Sequence, residues 1–299
     1  MARENFVYLL GAVAREPLIS KKPGDDASSY AMCYVNVGRG NRDVGDGQKN
    51  MRCDNPMIMT RDPRWVEEIS TWHTHDIVQI KGTIATKQIK KASYCKYCGT
   101  KNVAIGMLVY IHPIFAWKIC HLDSPEACLR YIADHREISN QVFLFGKLVK
   151  DPARITTKKG LDITQYPVEM WRKAKIRSDD PSVRADYPYV KSYGENAVRD
   201  ITYLEAGSDV YVDGCLQARS VLRHIVCGQS YKSNGKPEKG EDGKPRMRAG
   251  PDGKIEGCGR LYDWVDRAME VVPYSGGVEY IGNYKRDPAP GEQEGTDDP

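Results

Sequence analysis

The 299-residue chain has no long apolar run, and nothing in it approaches the ~18 residues a membrane span requires. Its opening stretch, MARENFVYLLGAVARE, has too short an apolar segment and no small-residue cleavage region for a secretory signal, so a cytoplasmic protein with no membrane contact is expected. Also missing are a nucleophile elbow, a glycine-rich phosphate loop and a His-Glu metal helix. The six histidines, His73, His75, His112, His121, His135 and His224, are scattered. His73 and His75 flank a turn before a strand, which is a commoner context for them than a ligand pair. Carboxylates are spread along the chain, whereas a metal-dependent nuclease needs them clustered. These absences argue against an enzyme.

Hydrophobic residues make up 40% and charged residues 28%, as in a globular protein large enough for one or two cores, and the net charge of +4 is too small to name a partner. Nine cysteines in a cytoplasmic chain point to metal binding, catalysis or burial rather than disulfides.

The chain repeats itself. NFVYLLGAVAREP from Asn5 returns as NQVFLFGKLVKDP from Asn140, so Asn5, Gly11 and Pro17 meet Asn140, Gly146 and Pro152. Further on, Asp54, Pro56, Val66, Val78, Gly82 and Cys95 meet Asp186, Pro188, Val198, Val210, Gly214 and Cys227. Cys98, Gly99 and Pro113 then meet Cys258, Gly259 and Pro273, with 28 extra residues in the second copy. The segment that contains this insertion, residues 228–257, is rich in turn signals and is expected to be a hairpin or a mobile loop.

In each copy, alternating or apolar segments predict strands: VYLLGAVA, AMCYVNVG, DIVQIKGTIATKQI and MLVYIHPIF, then VFLFGKLV, ITQYPVEMW, DVYVDGCLQA and AMEVVPY. A further short strand is expected at RCDNPMIM and at DYPYVKSYG, each followed by a short helix, PRWVEEISTW or ENAVRDITYLEAG. Five strands with one helix between the third and fourth is the order of an oligonucleotide-binding (OB) barrel. The expected fold is therefore mainly all-β: two tandem OB-fold five-stranded barrels over 1–117 and 140–284. A linker helix lies in 118–139, opened by Ser124 and Pro125, and an acidic tail over 285–299 is expected to be disordered.

TYLEAGSDVYVDGCLQAR from Thr202 and VEMWRKAK from Val168 closely resemble the signature segments of bacterial single-stranded DNA-binding proteins, and HDIVQIKGTIATK from His75 is a degenerate version. The whole chain, over roughly residues 4 to 282, resembles the tandem two-barrel form found in Gram-positive bacteria and their mobile elements. The resemblance implies a sequence-tolerant protein that coats single-stranded DNA during replication, recombination or conjugative transfer. It also implies a possible homodimer that brings four barrels together, as the family assembles four. The tail, ending GTDDP, resembles the family's acidic, partner-recruiting tip in charge but lacks its terminal aromatic, which leaves contacts with replication proteins in doubt.

Such binding needs aromatic faces for bases and cations for phosphates. Trp171 with Arg172, Lys173, Lys175 and Arg177 meets this need. So does the row of Tyr187, Tyr189, Lys191 and Tyr193, which share one face of a strand. Burial in a core is the competing reading for the tyrosines. In the first copy Gly38, Asn55 and Arg61 stand at the positions of Trp171, Tyr187 and Tyr193. Only Tyr34 with Arg39, Arg42, Lys49 and Arg52 remains, so the second barrel is expected to bind more tightly. Trp65 and Trp72 are expected in the core.

The repeat brings Cys95, Cys98, Cys227 and Cys258 forward as a shared four-thiolate structural zinc site stapling the two barrels. A rival completes Cys95 and Cys98 with Cys120 and either His121 or Cys128, and a metal-free remnant is also open. A redox role is disfavoured because strand rather than helix follows the motif. Cys33, Cys53 and Cys215 are expected to be buried or half-buried in strands. The alternative function is an OB-fold adaptor, stapled by zinc, that binds a protein partner or RNA.

Overall fold

The computed structural model describes residues 5–22, 25–39, 51–172, 182–232, 236–251 and 253–285. The acidic tail, expected to be disordered, lies outside them. In the first copy the strands are β1 (Asn5–Val13), β2 (Leu18–Lys22), β3 (Asp25–Arg39), β4 (Arg52–Asp54), β5 (Met57–Thr60), β6 (Asp76–Tyr94) and β7 (Lys101–His121), with helix α1 (Pro63–Ser70) before β6. Helices α2 (Pro125–Asp134) and α3 (Arg136–Ser139) form the linker. The second copy has β8 (Asn140–Leu148), β9 (Ala153–Thr156), β10 (Asp162–Trp171), β11 (Ala185–Asp186), β12 (Tyr189–Tyr193), α4 (Glu195–Tyr203), β13 (Asp209–Val226) and β14 (Leu261–Gly282).

Each copy closes into a barrel by the same pairings. In the first, β1 pairs β3 and β6, β3 pairs β5, and β5 joins β7 in parallel at Ile58 and Ile111. In the second, β8 pairs β10 and β13, β10 pairs β12, and β12 joins β14 in parallel at Val190 and Val271. One parallel pair in a five-stranded, otherwise antiparallel ring is the OB-fold order. Inward positions are filled by β-branched and aliphatic residues such as Val7, Leu9, Ile80, Val142, Leu144 and Val212, all fully buried. Each such side chain contributes about 1.5–3 kcal/mol.

The barrels meet through their first strands. β1 pairs β8 antiparallel with Asn5 opposite Leu144, Val7 opposite Val142 and Leu9 opposite Asn140. Because Asn5 corresponds to Asn140 and Leu9 to Leu144 in the repeat, this register is two-fold symmetric about Val7 and Val142. The repeated asparagines do the same work in both copies. Asn5 accepts from the amide of Ile84 and donates to its carbonyl, both at 2.9 Å, and Asn140 does so with Leu216, again at 2.9 Å. The repeated Gly11 and Gly146 mark close backbone approaches, since a Cβ there would sit 2.1 Å from the Asn36 carbonyl oxygen or 2.4 Å from that of Glu169.

The linker starts as its sequence predicts, with the Ser124 hydroxyl accepting from the Ala127 amide at 3.1 Å and Pro125 in the first turn. Cys128 and Ile132 of α2 pack on Leu10, Ala12 and Ile77 of the first barrel.

By compactness the chain divides into two units. One comprises Met1–Ile84, Ile111–Gln217 and Glu270–Pro299 and contains both barrels; the other comprises Ala85–Tyr110 and Ala218–Met269.

Replacing Asn140 by alanine strands a buried amide and a buried carbonyl of Leu216. Urea unfolding is expected to show a loss of about 2–4 kcal/mol with an unchanged slope. A loss below about 0.5 kcal/mol would show that the clamp is not stabilising.

Candidate nucleic-acid interface and thiolate cluster

Strand alternation sorts the residues of β10. Thr164, Tyr166, Val168 and Met170 point inward and are buried, while Ile163, Gln165, Pro167, Glu169 and Trp171 point outward. The neighbouring segment alternates in the same way: Tyr187, Tyr189, Lys191 and Tyr193 face outward, Val190 and Ser192 inward. The register sets Tyr193 opposite Ile163, Lys191 opposite Gln165 and Tyr189 opposite Pro167, with Trp171 opposite Ala185. Trp171, Tyr189 and Tyr187 are 65%, 39% and 36% exposed. The Tyr187 hydroxyl donates to Glu169 at 2.9 Å, which raises the tyrosine's pKa and fixes the ring. Tyr193 is half-buried and donates to Gln217 at 3.1 Å. One sheet face thus presents four aromatic rings, three of them exposed.

The cations are arranged differently from expectation. Arg172 is one residue past Trp171 and therefore lies on the opposite side of the strand. There its guanidinium makes a two-pronged bond to Asp186, at 2.6 and 2.7 Å, and the side chain is only 8% exposed. It is a buried structural ion pair and not a free phosphate ligand. Lys191 lies on the outer face but is largely covered, with its ammonium 3.6 Å from the buried Glu270 and 5.7 Å from the Tyr193 ring. Lys173, Lys175 and Arg177 lie outside the described residues. Sequence reasoning missed three exposed cations of this barrel: Lys158 and Lys159 in the turn before β10, and Arg184, whose carbonyl accepts from the Arg172 amide at 2.8 Å. Paired turn lysines were the available signal for the first two.

The first barrel repeats the ion pair. Arg39 bonds Asp54 twice at 2.9 Å, with Asp54 buried, so Arg39 is likewise not free for phosphate. Arg52 is exposed; Arg42 and Lys49 lie outside the described residues. Tyr34 is half-buried with the Arg15 guanidinium 4.3 Å over its ring, and Tyr30, four residues away on the same strand, has Arg61 at 5.8 Å. Tyr30 and Arg15 were not singled out from sequence. At the position of Trp171 stands the buried Gly38, whose amide donates to Ser139 at 2.9 Å. A Cβ there would lie 3.0 Å from Ile132, so the linker helix occupies the space that a side chain would need. Trp72 is buried as expected, but Trp65 is only half-buried, set edge-on to Phe115 at 6.3 Å and covered by Arg64 at 4.3 Å. Nearby in sequence, Trp117 of β7 is 57% exposed.

Within the second unit the four repeated cysteines come together. All four sulfurs of Cys95, Cys98, Cys227 and Cys258 lie within 4.8 Å of one another, with Cys95 to Cys258 at 3.7 Å and Cys98 to Cys227 at 3.6 Å. The edges of a tetrahedron with metal–sulfur bonds of ~2.3 Å are about 3.8 Å, so the donor set fits a tetrahedral thiophilic ion. Two matching knuckles build it. Cys95 donates its amide to the Thr100 carbonyl at 3.0 Å and accepts from Gly99 at 2.9 Å; Cys227 donates to Arg260 at 3.0 Å and accepts from Gly259 at 3.2 Å. Gly99 and Gly259 have φ of 72° and 68°, the turn each knuckle requires. The amide of Tyr97 points at Cys95 (3.4 Å) and that of the Asn102 side chain at Cys227 (3.8 Å). Hydrogen bonds from the Thr100 hydroxyl and backbone lower the Cys98 thiol to about 6. The Arg260 amide acts in the same direction on Cys258, but desolvation and the neighbouring thiols prevail and raise it to about 11. Among the described residues this is the one cluster of three or more potential metal ligands. Cys128 is buried against Ile132 with Cys120 beside it, and His121 bonds Asp76 at 2.8 Å. Cys33 and Cys215 are buried as expected, whereas Cys53 is exposed on the short outer strand β4.

Residues 139–230 match the Single-strand binding protein family. That stretch holds Trp171 and the tyrosine row; the first copy lies outside it. The chain is similar to Single-stranded DNA-binding protein 1 of Chlorobaculum tepidum, 31% identical over 81 residues, covering 27% of this chain and 50% of the relative. It is also similar to the Single-stranded DNA-binding protein of Thermotoga maritima, 29% identical over 80 residues, 27% of this chain and 57% of the relative. The chain thus spans about half the length of these curated relatives. Among solved structures, the wild-type single-stranded DNA binding protein from Thermus aquaticus is similar at 17% identity and a TM-score of 0.48, over 72% of this chain and 85% of that one. A deletion mutant of the same protein gives 19% and 0.47, over 72% and 87%.

The buried ion pair separates structure from binding. Arg172→Met removes the two-pronged partner of the buried Asp186 carboxylate and is expected to cost about 3–5 kcal/mol in urea unfolding. Adding Asp186→Leu should recover most of that loss. A stable Arg172→Met protein that has lost nucleic-acid affinity would instead make Arg172 a ligand contact.

Proposed function

We propose that this chain is a sequence-tolerant single-stranded DNA-binding protein that coats and protects single strands during replication, recombination or conjugative transfer. It is a binding protein and not an enzyme. The observation that carries the reading is the outward aromatic row of Trp171, Tyr187, Tyr189 and Tyr193 on one sheet face of the second barrel, within the stretch that matches the family. Every base has a π-face, so stacking on such a row tolerates sequence and is worth about 1–3 kcal/mol per base. Lys158, Lys159 and Arg184 follow the phosphates, joined by the sequence candidates Lys173, Lys175 and Arg177. The first barrel contributes less, through Tyr34, Tyr30, Arg15, Arg52 and Arg42. Two chains associating would supply four barrels, and the acidic tail is the weaker candidate for contacts with replication proteins.

The four-thiolate cluster is read as a structural zinc site. Among the described residues a small buried cluster of its unit is built on Cys95, Ile225, Cys227 and Tyr262 with Trp264 against it. A cluster with so little apolar burial needs a metal to hold it. Zinc supplies four bonds to the two knuckles; Cys95 and Cys98 hold it from the β6–β7 connection, Cys227 and Cys258 from the β13–β14 connection. An exposed apolar row on β7, with Phe115 at 37%, Trp117 at 57% and Ile119 at 43%, favours a second reading as an adaptor for a protein partner.

Titration of labelled oligo-dT, with duplex and RNA controls, tests the first reading. Trp171→Ala is expected to weaken oligo-dT binding about 5- to 150-fold and to remove most of the tryptophan quenching. Equal binding to duplex, or none at moderate salt, would favour the adaptor. Metal analysis is expected to find one zinc per chain, lost in Cys258→Ser together with faster proteolysis within residues 228–257. Full metal retention in Cys258→Ser would sink the zinc site.

A further inference from the structure

The insertion of the second copy is a built element. Its sequence repeats a small unit three times: Asn234-Gly235-Lys236, Asp242-Gly243-Lys244 and Asp252-Gly253-Lys254. Backbone bonds flank each unit, with Lys232 donating to Lys236 (2.9 Å), Gly240 to Lys244 (2.9 Å) and Gly250 to Lys254 (2.8 Å). Three further bonds form a ring: Ser230 donates to Arg246 (2.8 Å), Arg246 to Glu238 (3.0 Å) and Glu238 to Ser230 (2.9 Å). Arg248 ties the element to the first knuckle through the Lys101 carbonyl at 3.1 Å.

The charge of this unit differs from the rest of the chain. Residues 85–110 and 218–269 carry sixteen Lys and Arg against seven Asp and Glu, a net +9. The whole chain is only +4, so the unit with the barrels carries −5. A divalent ion on four thiolates adds −2 and still leaves about +7. Most of the unit's acids are spent locally: Asp266 on Lys91 and Arg223, Asp263 on His224, Asp242 on Lys244 and Glu256 on Arg248. Lys90, Lys101, Lys232, Lys239 and Arg246 are exposed and make no ion pair among the described residues. Tyr97, exposed beside the metal ligands, has Lys96 at 5.1 Å and Arg260 at 5.3 Å from its ring, so cations compete with any base for it.

We infer that this thiolate-centred unit is a second nucleic-acid contact, which holds phosphates by charge. The inference rests on the reading above that the chain binds single-stranded DNA. Its surplus of exposed cations suits a polyanion.

The test uses the full chain with Lys90, Lys101, Lys232, Lys239 and Arg246 all changed to glutamine, compared with wild type and Trp171→Ala. Metal content and circular dichroism check folding. Binding to oligo-dT and to a duplex is followed from about 50 to 300 mM salt. Each phosphate contact on a single strand contributes ~0.7 to the slope of log K against log salt, so the variant with all five cations replaced is expected to lose up to about 3.5 from that slope. Its tryptophan quenching at saturation should be unchanged, while Trp171→Ala loses quenching and keeps the slope. A loss seen only on duplex would support the phosphate grip and assign it to double strands. An unchanged slope and affinity on both ligands would overturn the inference while wild-type binding kept the first reading alive. Absence of wild-type binding to oligo-dT would remove both.

Discussion

The pairing of β1 with β8 is the constraint on which the rest of the barrel unit depends. Its register is symmetric about Val7 and Val142, so the two copies meet as identical subunits do across a two-fold axis, with the same strand on each side. Phe6 and Phe143 fall opposite one another, with ring centroids 6.5 Å apart. A dimer of separate chains would need the same surface on both halves. Joined in one chain, each first strand needs only to keep its alternation and its asparagine clamp, because a one-residue slip would turn every inward side chain out.

That freedom accounts for how far the copies have diverged. Both keep what the backbone requires: the Asn5 and Asn140 clamps, Gly11 and Gly146 at close approaches, and the Arg39–Asp54 and Arg172–Asp186 pairs. They differ on the outer face. Where the second barrel has Trp171 in solvent, the first has Gly38 under Ile132 of the linker helix. The linker that joins the copies therefore takes up the surface on one of them, and the helix gains a seat that a tryptophan would block.

The sequence made legible whatever follows from periodicity or from repetition. Strand alternation placed Tyr187, Tyr189 and Tyr193 on one face, and the matching cysteine pairs brought the four thiolates forward as one set. Arg172 and Arg39 were misread because adjacency in sequence reverses direction on a strand, and a buried partner such as Asp186, 14 residues away, leaves no local mark. The three-turn insertion reads as a loop because glycine, proline and polar residues predict turns but not the ring of bonds that ties the turns together. Half-buried Trp65 shows the same limit: helical spacing gives a face, and only the neighbouring Phe115 and Arg64 decide what covers it.

Charge and aromaticity are distributed between different parts of the chain, and this bears on how a nucleic acid would be held. On the described face of the second barrel Glu169 and Glu270 sit among the rings, and Lys191 is taken by Glu270. Attraction there must come mainly from stacking, which salt weakens little. In the thiolate-centred unit the balance is reversed, with surplus cations. Exposed charges interact over about a Debye length, ~8–10 Å at ordinary ionic strength, so an excess of +9 acts before contact and fades as salt rises. A single strand would then be captured by one kind of force and retained by another, with the rings on the second copy and the surplus cations on the hairpins of both copies.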